Sequence, residues 1–379
     1  MNLPVDLPAA MAGRGVRAPG DALAAWLLDG PAQLRTGVHA GGIAGTIAAS
    51  GAPAYVYPEI AGYYLQWLAW RARAFGGHEA LAARAAAVQR WLGTWLALAS
   101  PPPTRVHLAG PADDWRNGAV FFFDVAMVAR GLGSAAHEGL VDPDPDVVAG
   151  VSRVLESLIG TDGLFVACRA HDAGTLLPDR WSTRRGPFLA KAAAGVVTAA
   201  RTLPEIAAPV AAAAHATLAA SIDWAVASAH REAHPRLYTF EGLLALPEHP
   251  RFHAALPAVG AQFDALLAQA GPDGRLPETL HDEAGGRGPA RVDVLAQALR
   301  IGTLLGAHRP GHAPDPAALA RMRDLLARQV QAPGAVAFAV DAPAASCNVW
   351  AAMFADQALA FAADRSGAAA WRRGDPLLV

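Results

Sequence analysis

Carboxylates, arginines and tryptophans gather at six separate places along this 379-residue chain. Glu59 stands directly after Pro58. Asp113-Asp114-Trp115-Arg116 is the densest run, and Asp179-Arg180-Trp181 leads into Arg184-Arg185. His234, Tyr238 and Glu241 follow one another closely. Glu278, His281, Asp282 and Glu283 precede Arg291 and Asp293, and Asn348 and Trp350 come last. Carbohydrate sites use these residue types. Sugar C–H faces pack on indoles, hydroxyls bond to carboxylates and guanidiniums, and two carboxyls of unequal proton affinity supply an acid and a base.

Each candidate also has a plainer use. Asp113 or Asp114 can cap a helix that starts near Trp115. Glu59, beside a helix-starting proline, suits the positive end of a helix dipole. Glu241 lies in a strongly apolar run, where a carboxylate needs either a buried arginine or a raised pKa that makes it a general acid. Asp293 can pair with Arg291. Asp124 and Asp356 lie deeper in apolar segments and read as hydrogen-bonded core acids. The arginines of 180–185 form either a solvated loop or a subsite for an anionic group on a ligand.

Metal, phosphate and nucleophile signatures do not form. His171-Asp172 and His281-Asp282-Glu283 lack the helical His-x3-His or cysteine partners of a metal site. Gly285-Gly286-Arg287-Gly288 follows no strand, so it is not a phosphate fingerprint. There is no G-x-S-x-G elbow, and Ser346-Cys347 has no histidine partner by spacing. No cofactor is expected.

The elements that would position these residues are helices. Alanine and leucine dominate, and the composition is 53% hydrophobic against 17% charged, enough for a large core. Some segments are apolar nearly all round and must be buried on most sides. They are Pro58–Trp70, Arg116–Leu132, Gly186–Ala200, Thr239–Leu246, Arg291–Leu305 and Cys347–Phe361. Others carry one apolar stripe: Asp21–Asp29, Glu79–Ala99, Asp146–Ile159, Ile206–Ala229, Phe252–Ala270 and Ala317–Val330. The two kinds alternate, and the inner type recurs at intervals of roughly 50 to 70 residues, the mark of a helical array. The first and last inner segments are as apolar as the middle ones, so closure into a ring is needed to bury both. Asp-Gly stops at Asp162-Gly163 and Asp273-Gly274, with Pro333-Gly334 in the equivalent stretch, end outer helices. Short extended segments are expected at Leu164–Cys168 and Val336–Val340.

This pairing, the Asp-Gly stops and the helix start Tyr57-Pro58-Glu59-Ile60-Ala61-Gly62-Tyr63 resemble the six-hairpin, (α/α)6-toroid proteins. These include many glycoside hydrolases, some polysaccharide lyases and some sugar epimerases. The resemblance is architectural and covers the chain from about Asp21; it includes no family-defining catalytic motif, and a fold alone does not fix a reaction. It implies one all-α toroid domain over 1–379, with 1–20 an irregular lead-in. It also implies that the loops entering the inner helices converge at one pole, which would be the site. Asp113 or Asp114 and Glu241 are then the expected acid–base pair, with Asp293 in reserve. Glu59, Arg116, Arg180, Trp181, Arg184, His234, Tyr238, His281, Arg291, Asn348 and Trp350 are the expected substrate contacts.

The expected activity is glycoside hydrolysis, on a glycan that the arginine loop would make acidic. Lyase chemistry on the same frame would use Tyr238, His234 or His281 as base, and epimerisation would need bases on both sugar faces. A non-catalytic glycan-binding or pathway-scaffold protein would keep the lining without the acid–base pair. Terpenoid cyclisation ranks last, because Asp113-Asp114 lacks the further acids of an ionising motif. Net charge of −2 gives no general attraction to nucleic acid or an anionic membrane, so the expected ligand is a small molecule or oligosaccharide. Cys168 and Cys347 form no CxxC motif, and no leader or membrane span is read, so a cytoplasmic location is expected.

Overall fold

The computed structural model describes residues 18–110, 112–227, 230–246, 248–280, 288–308, 313–342, 346–363 and 379. Twelve helices among these residues alternate between an inner and an outer layer. The outer helices are α1 (Pro19–Asp29), α3 (His78–Leu96), α5 (Pro145–Glu156), α7 (Ala208–Ala227), α9 (Phe252–Leu267) and α11 (Pro316–Gln329). The inner ones are α2 (Pro58–Phe75), α4 (Phe122–His137), α6 (Leu189–Ala200), α8 (Ala233–Leu244), α10 (Val292–His308) and α12 (Val349–Ala363). Each inner helix packs on the next, and α12 returns to α2, which closes the ring. The fold is the all-α, six-hairpin (α/α)6 toroid that the alternation of segments implies.

The layers follow from the side chains. Nearly every residue of α2 and α4 is buried, as an all-round apolar helix requires. In α5, Val147, Val148, Val151 and Leu155 face inward, while Asp144 caps the start by accepting from the Asp146 and Val147 amides at 3.0 and 3.4 Å. Asp315 does the same for α11, accepting from the Ala317 amide at 2.9 Å. Helix α7 is long and apolar enough by composition to cross a membrane, a feature the sequence reading did not pick out. Here it is an outer helix packed on α5, α6, α8 and α9.

Three two-stranded ribbons sit where inner helices begin. β1 (Thr46–Ala48) pairs with β6 (Ser346–Asn348), β2 (Tyr55–Val56) with β3 (Val106–His107), and β4 (Ala119–Phe121) with β5 (Cys168–Ala170), all antiparallel. β2, β4 and β6 run straight into α2, α4 and α12. They tie those helix starts together at one pole, so side chains there are held on backbone rather than on free loops.

These ribbons correct several expected boundaries. Arg116–Leu132 is not one helix. Trp115–Gly118 forms a 3-10 turn and Ala119–Phe121 a strand before α4, because the apolar, aromatic residues 119–121 find a ladder partner in Cys168–Ala170. The sixth inner helix likewise starts at Val349, after β6, and not at Cys347. The third starts at Leu189, not Gly186. The extended segment expected at Leu164–Cys168 is displaced to Cys168–Ala170, and 336–340 makes only isolated bridges at Ala337 and Ala339. The fourth inner helix begins at Ala233, not Thr239, since Pro235 falls in its first turn, where a missing amide proton costs no helical bond. The first outer helix starts at Pro19, not Asp21, and residues 1–17 of the expected lead-in lie outside those described.

Inner helices approach most closely where side chains vanish. A Cβ on Gly62 would lie 2.3 Å from the Met127 carbonyl oxygen, and one on Gly131 would lie 2.4 Å from that of Gly62. The α2–α4 register rests on this glycine contact. Gly62→Ala must separate the two helices, and is expected to lower stability by about 1–3 kcal/mol, the usual cost of overpacking. Urea unfolding monitored by circular dichroism measures this; an unchanged midpoint would show that the register does not depend on Gly62.

Candidate active site

A cavity of about 160 Å³ opens at the ribbon-bearing pole. It is smaller than the roughly 300–1,000 Å³ of pockets for drug-sized ligands, so it suits one small ring rather than an extended chain. Its polar wall is made by Tyr57, Glu59, Arg105, Asp124, His234 and Arg291. Trp115, Trp181, Trp350, Phe123 and Tyr238 supply aromatic faces. Tyr57, Glu59 and Asp124 come from the starts of α2 and α4, and His234 from the start of α8, three places round the ring from α2. The histidine and the carboxyls therefore face each other across the cavity. The Tyr63 and Tyr238 hydroxyls, 3.3 Å apart, span the ring between α2 and α8.

The two carboxyls share one small apolar volume. The Tyr57 hydroxyl donates to Asp124 Oδ2 at 3.0 Å and also neighbours Glu59. Burial raises the pKa of both. The Glu59 charge raises Asp124 further, while Tyr57 and Arg105 pull the other way. Asp124 is held well above the ordinary carboxyl range, and Glu59 less so. Two such groups lose their protons in sequence rather than together, so the pair keeps one proton within reach of a ligand.

His234 is set by a chain of buried contacts. Lys191 Nζ donates to Glu241 Oε2 at 2.8 Å, and Arg300 Nη2 pairs with Glu241 Oε1. Burial opposes the Glu241 charge, but Lys191 and Arg300 outweigh it and hold the carboxyl below its ordinary pKa. An ionised carboxylate only accepts, so the amide that meets it must be a donor. Gln297 Nε2 donates to Glu241 Oε2 at 3.0 Å, and this turns Gln297 Oε1 toward His234 Nδ1, 2.7 Å away. That oxygen can only accept. His234 therefore carries its proton on Nδ1, and Nε2 is left with a lone pair. Burial first, then the Arg291 charge, pushes the imidazole pKa down to about 4, so the ring is neutral at ordinary pH.

A second acid holds the wall behind the cavity. Asp293 pairs with Arg291 at 2.6 Å and accepts from Trp350 Nε1 at 3.1 Å. Although burial opposes its charge, Arg291 and His234 bring its pKa to about 2. Asp114 does similar work on the other side. It caps the 3-10 turn at Trp115, accepts from Arg105 at 3.1 Å and from Arg116 at 3.3 Å, and sits below its ordinary pKa because those arginines outweigh its burial.

Of the residues expected at the site, Glu59, Arg116, Trp181, His234, Tyr238, Arg291 and Trp350 line this cavity. Asp114 and Asp293 are directly behind its arginines. The expected acid–base pair is not brought together. Asp113 is exposed, and Glu241 is fully buried in its ion cluster below the cavity. Arg184 is exposed and pairs with the exposed Asp179. Arg180 is also exposed, with its guanidinium 5.9 Å from the Trp115 ring. Asn348 is buried, and its Oδ1 accepts from the Ala351 amide at the start of α12. His281 lies outside the described residues.

Tyr57, Arg105, Asp124 and Gln297 were not singled out as site residues. A lone acid within the aromatic run Phe121-Phe122-Phe123-Asp124 was the available signal for one of them. His234, Tyr238 and Glu241 were expected around a helix start. They lie on one helix at i, i+4 and i+7, and this common stripe stacks them down the barrel wall.

No protein-family model matches this sequence, and no curated protein matches it in sequence. Solved structures do match in fold. A D-mannose isomerase superposes with a TM-score of 0.68 at 15% identity, covering 90% of this chain and 96% of that one. A cellobiose 2-epimerase from Spirochaeta thermophila gives 0.61 at 14% identity, covering 91% and 97%. A glycosidase variant gives 0.59 at 14% identity, covering 90% and 95%. The chain thus has the (α/α)6 toroid fold of the six-hairpin glycosidase-like proteins over nearly its whole length.

The buried neutral imidazole makes a pH signature. His234 has a folded pKa of about 4 against an ordinary 6.5. Between these values the unfolded chain binds a proton that the folded one does not, so the contribution of this group to stability is lost as pH falls from 6.5 to about 4. The loss attributable to it is about 3 kcal/mol. His234→Gln is expected to flatten the acid limb relative to wild type in urea unfolding between those pH values, and parallel curves would contradict the neutral, buried assignment.

Proposed function

We propose that this protein is a carbohydrate-active enzyme that isomerises or epimerises a small reducing sugar by moving the proton beside its carbonyl. One observation carries the reading: a neutral imidazole with a free Nε2 faces a proton-holding carboxyl pair across a cavity sized for one ring. Proton abstraction next to a carbonyl needs a neutral base, an acid for the oxygen and cations to steady the enediolate.

The residues divide these tasks. His234 Nε2 takes the proton from C2 of the open-chain sugar while the Asp124 carboxylic acid gives its proton to the carbonyl oxygen at C1. An enediol forms, with developing negative charge on oxygen facing Arg105 and Arg291. In isomerisation the Asp124 carboxylate then takes the O2 proton, the C2 carbonyl forms, and the His234 imidazolium returns its proton to C1. In epimerisation the Asp124 carboxylate takes back the O1 proton and the carboxyl pair delivers one proton to C2 from the opposite face, which leaves His234 as imidazolium and the pair one proton short until both exchange with solvent. The isomerisation route restores all groups directly. The D-mannose isomerase and cellobiose 2-epimerase that share the fold support this class of reaction.

Arg105 and Arg116 share the one carboxylate of Asp114, and Arg291 pairs with Asp293, so three guanidiniums meet two carboxylates at this wall and leave one positive charge for the developing oxyanion. Glycoside hydrolysis is the second reading. It rests on Glu59 and Asp124 as a carboxyl pair and on the glycosidases that share the fold.

Incubation in D2O with glucose, mannose, fructose, cellobiose and a uronic acid, followed by proton NMR, separates the two. Deuterium at C1 of a new ketose, or at C2 of a new aldose or 2-epimer, is expected. His234→Gln should lower that exchange at least 10²-fold, on the scale of a lost general base, with its fold retained by circular dichroism. New reducing ends from cellobiose with no deuterium on carbon would replace this reading by hydrolysis through Glu59 and Asp124.

A further inference from the structure

A second cavity, of about 430 Å³, opens on the outer flank of the ring, between the end of α3, the end of α5 and the β4–β5 ribbon. It is larger than the sugar cavity and falls in the range that holds small organic ligands. The ribbon serves both spaces. Val120 and Arg169 lie opposite each other in the ladder and line this cavity, whereas the next residue, Phe121, lines the sugar cavity. Successive strand residues point to opposite faces, so one ribbon stands between the two sites.

The walls divide by chemistry. Leu96, Pro102, Val120 and Val154 make an apolar side. Arg153 from α5 and Arg169 from β5 bring two guanidiniums to the rim. Among the described residues neither arginine has an ion pair, and Arg169 makes one long hydrogen bond, from Nη2 to the Ile159 carbonyl at 3.5 Å. No carboxylate lines the cavity among the described residues, since Glu156 and Asp172 are exposed and outside its walls. The ends of α3 and α5 each bring the equivalent of about half a negative charge, which two full positive charges exceed. His171 completes this side. Its backbone amide is fixed on the Gly118 carbonyl at 2.9 Å, and its Nε2 has no hydrogen-bond partner among the described residues. Burial lowers its pKa, so the ring is neutral at pH 7 and adds hydrogen-bonding capacity rather than charge.

A single exposed arginine is ordinarily satisfied by water. Here two, from different elements, border one concave and otherwise apolar space. A carboxylate matches one guanidinium. A phosphoryl group carries up to two charges and three acceptor oxygens, enough for both. Inorganic phosphate would leave the apolar side wet, and an ester would cover it with carbon.

We propose that this cavity binds a phosphomonoester with a compact, apolar or ring-shaped body, its phosphoryl group held between Arg153 and Arg169. The site is separate from the sugar cavity and independent of the reaction assigned there.

Isothermal titration calorimetry of the full chain with phenyl phosphate tests the site. One saturable binding event is expected, tighter than that of inorganic phosphate or benzoate by roughly ten-fold or more. Arg153→Gln and Arg169→Gln should each weaken it by roughly ten-fold or more, the scale of a lost charge-assisted hydrogen bond. Both side chains are exposed, so circular dichroism should show the fold retained. His234→Gln should leave binding unchanged. No saturable binding, binding that survives both arginine substitutions, or equal affinity for inorganic phosphate would overturn the proposal. Binding lost in His234→Gln and kept in the arginine variants would also overturn it, by moving the ester to the sugar cavity.

Discussion

One buried carboxylate organises the interior of this toroid. Glu241 has no access to water, and a charge in that position persists only when paired and hydrogen-bonded. Lys191 and Arg300 supply the pairing from the two neighbouring inner helices. Because Glu241 is charged it can only accept, and this fixes the Gln297 amide and then the His234 tautomer. A structural ion cluster and a candidate base are thus one continuous arrangement. Removing the charge from Glu241 would act on the cavity through orientation rather than through lost contact with a ligand.

Closure of the ring gives this arrangement its geometry. Six inner helices place their starts at one pole, and three short ribbons tie three of those starts to neighbouring loops. The cavity therefore draws on the starts of α2, α4, α8 and α12, with Arg105, Arg116, Trp181 and Arg291 reaching in from the connecting segments. Its two faces differ in character. Around α2 and α4, burial and mutual repulsion keep a proton on a carboxyl pair. Around α8 and α10, Arg291 and burial keep a proton off an imidazole. Neighbouring groups with oppositely shifted proton affinities are the physical basis of acid–base division in enzymes.

The toroid was legible in the sequence because its cause is periodic. Helices apolar all round alternate with one-stripe helices, and no open array would bury the first and last. Much of the cavity lining was legible too, since residues just before or within inner-helix starts must converge once the ring closes. The division of labour among acids was not. Asp114 and Glu241 looked equally suited to catalysis, and only three-dimensional partners separate an acid neutralised by two cations from one that keeps its proton. Asp124 read as a core acid because its environment is indeed apolar, which is also what raises its pKa. Arg105 and Gln297 carry no local pattern; their places come from loop packing and from a partner 56 residues away in sequence, Glu241. Short extended segments in the loops were legible but their positions were not, because two- and three-residue strands have too few positions for alternation to register.

The central claim is that His234 is neutral, protonated on Nδ1 and open at Nε2. Nitrogen-15 NMR of the histidine-labelled protein, with His234→Gln used to identify the signal, reads this directly. The account predicts a neutral ring with the proton on Nδ1 from pH 8 down to about 5, and protonation only near pH 4. An imidazolium at pH 7, or a proton resident on Nε2, would contradict it, because no lone pair would then face the cavity.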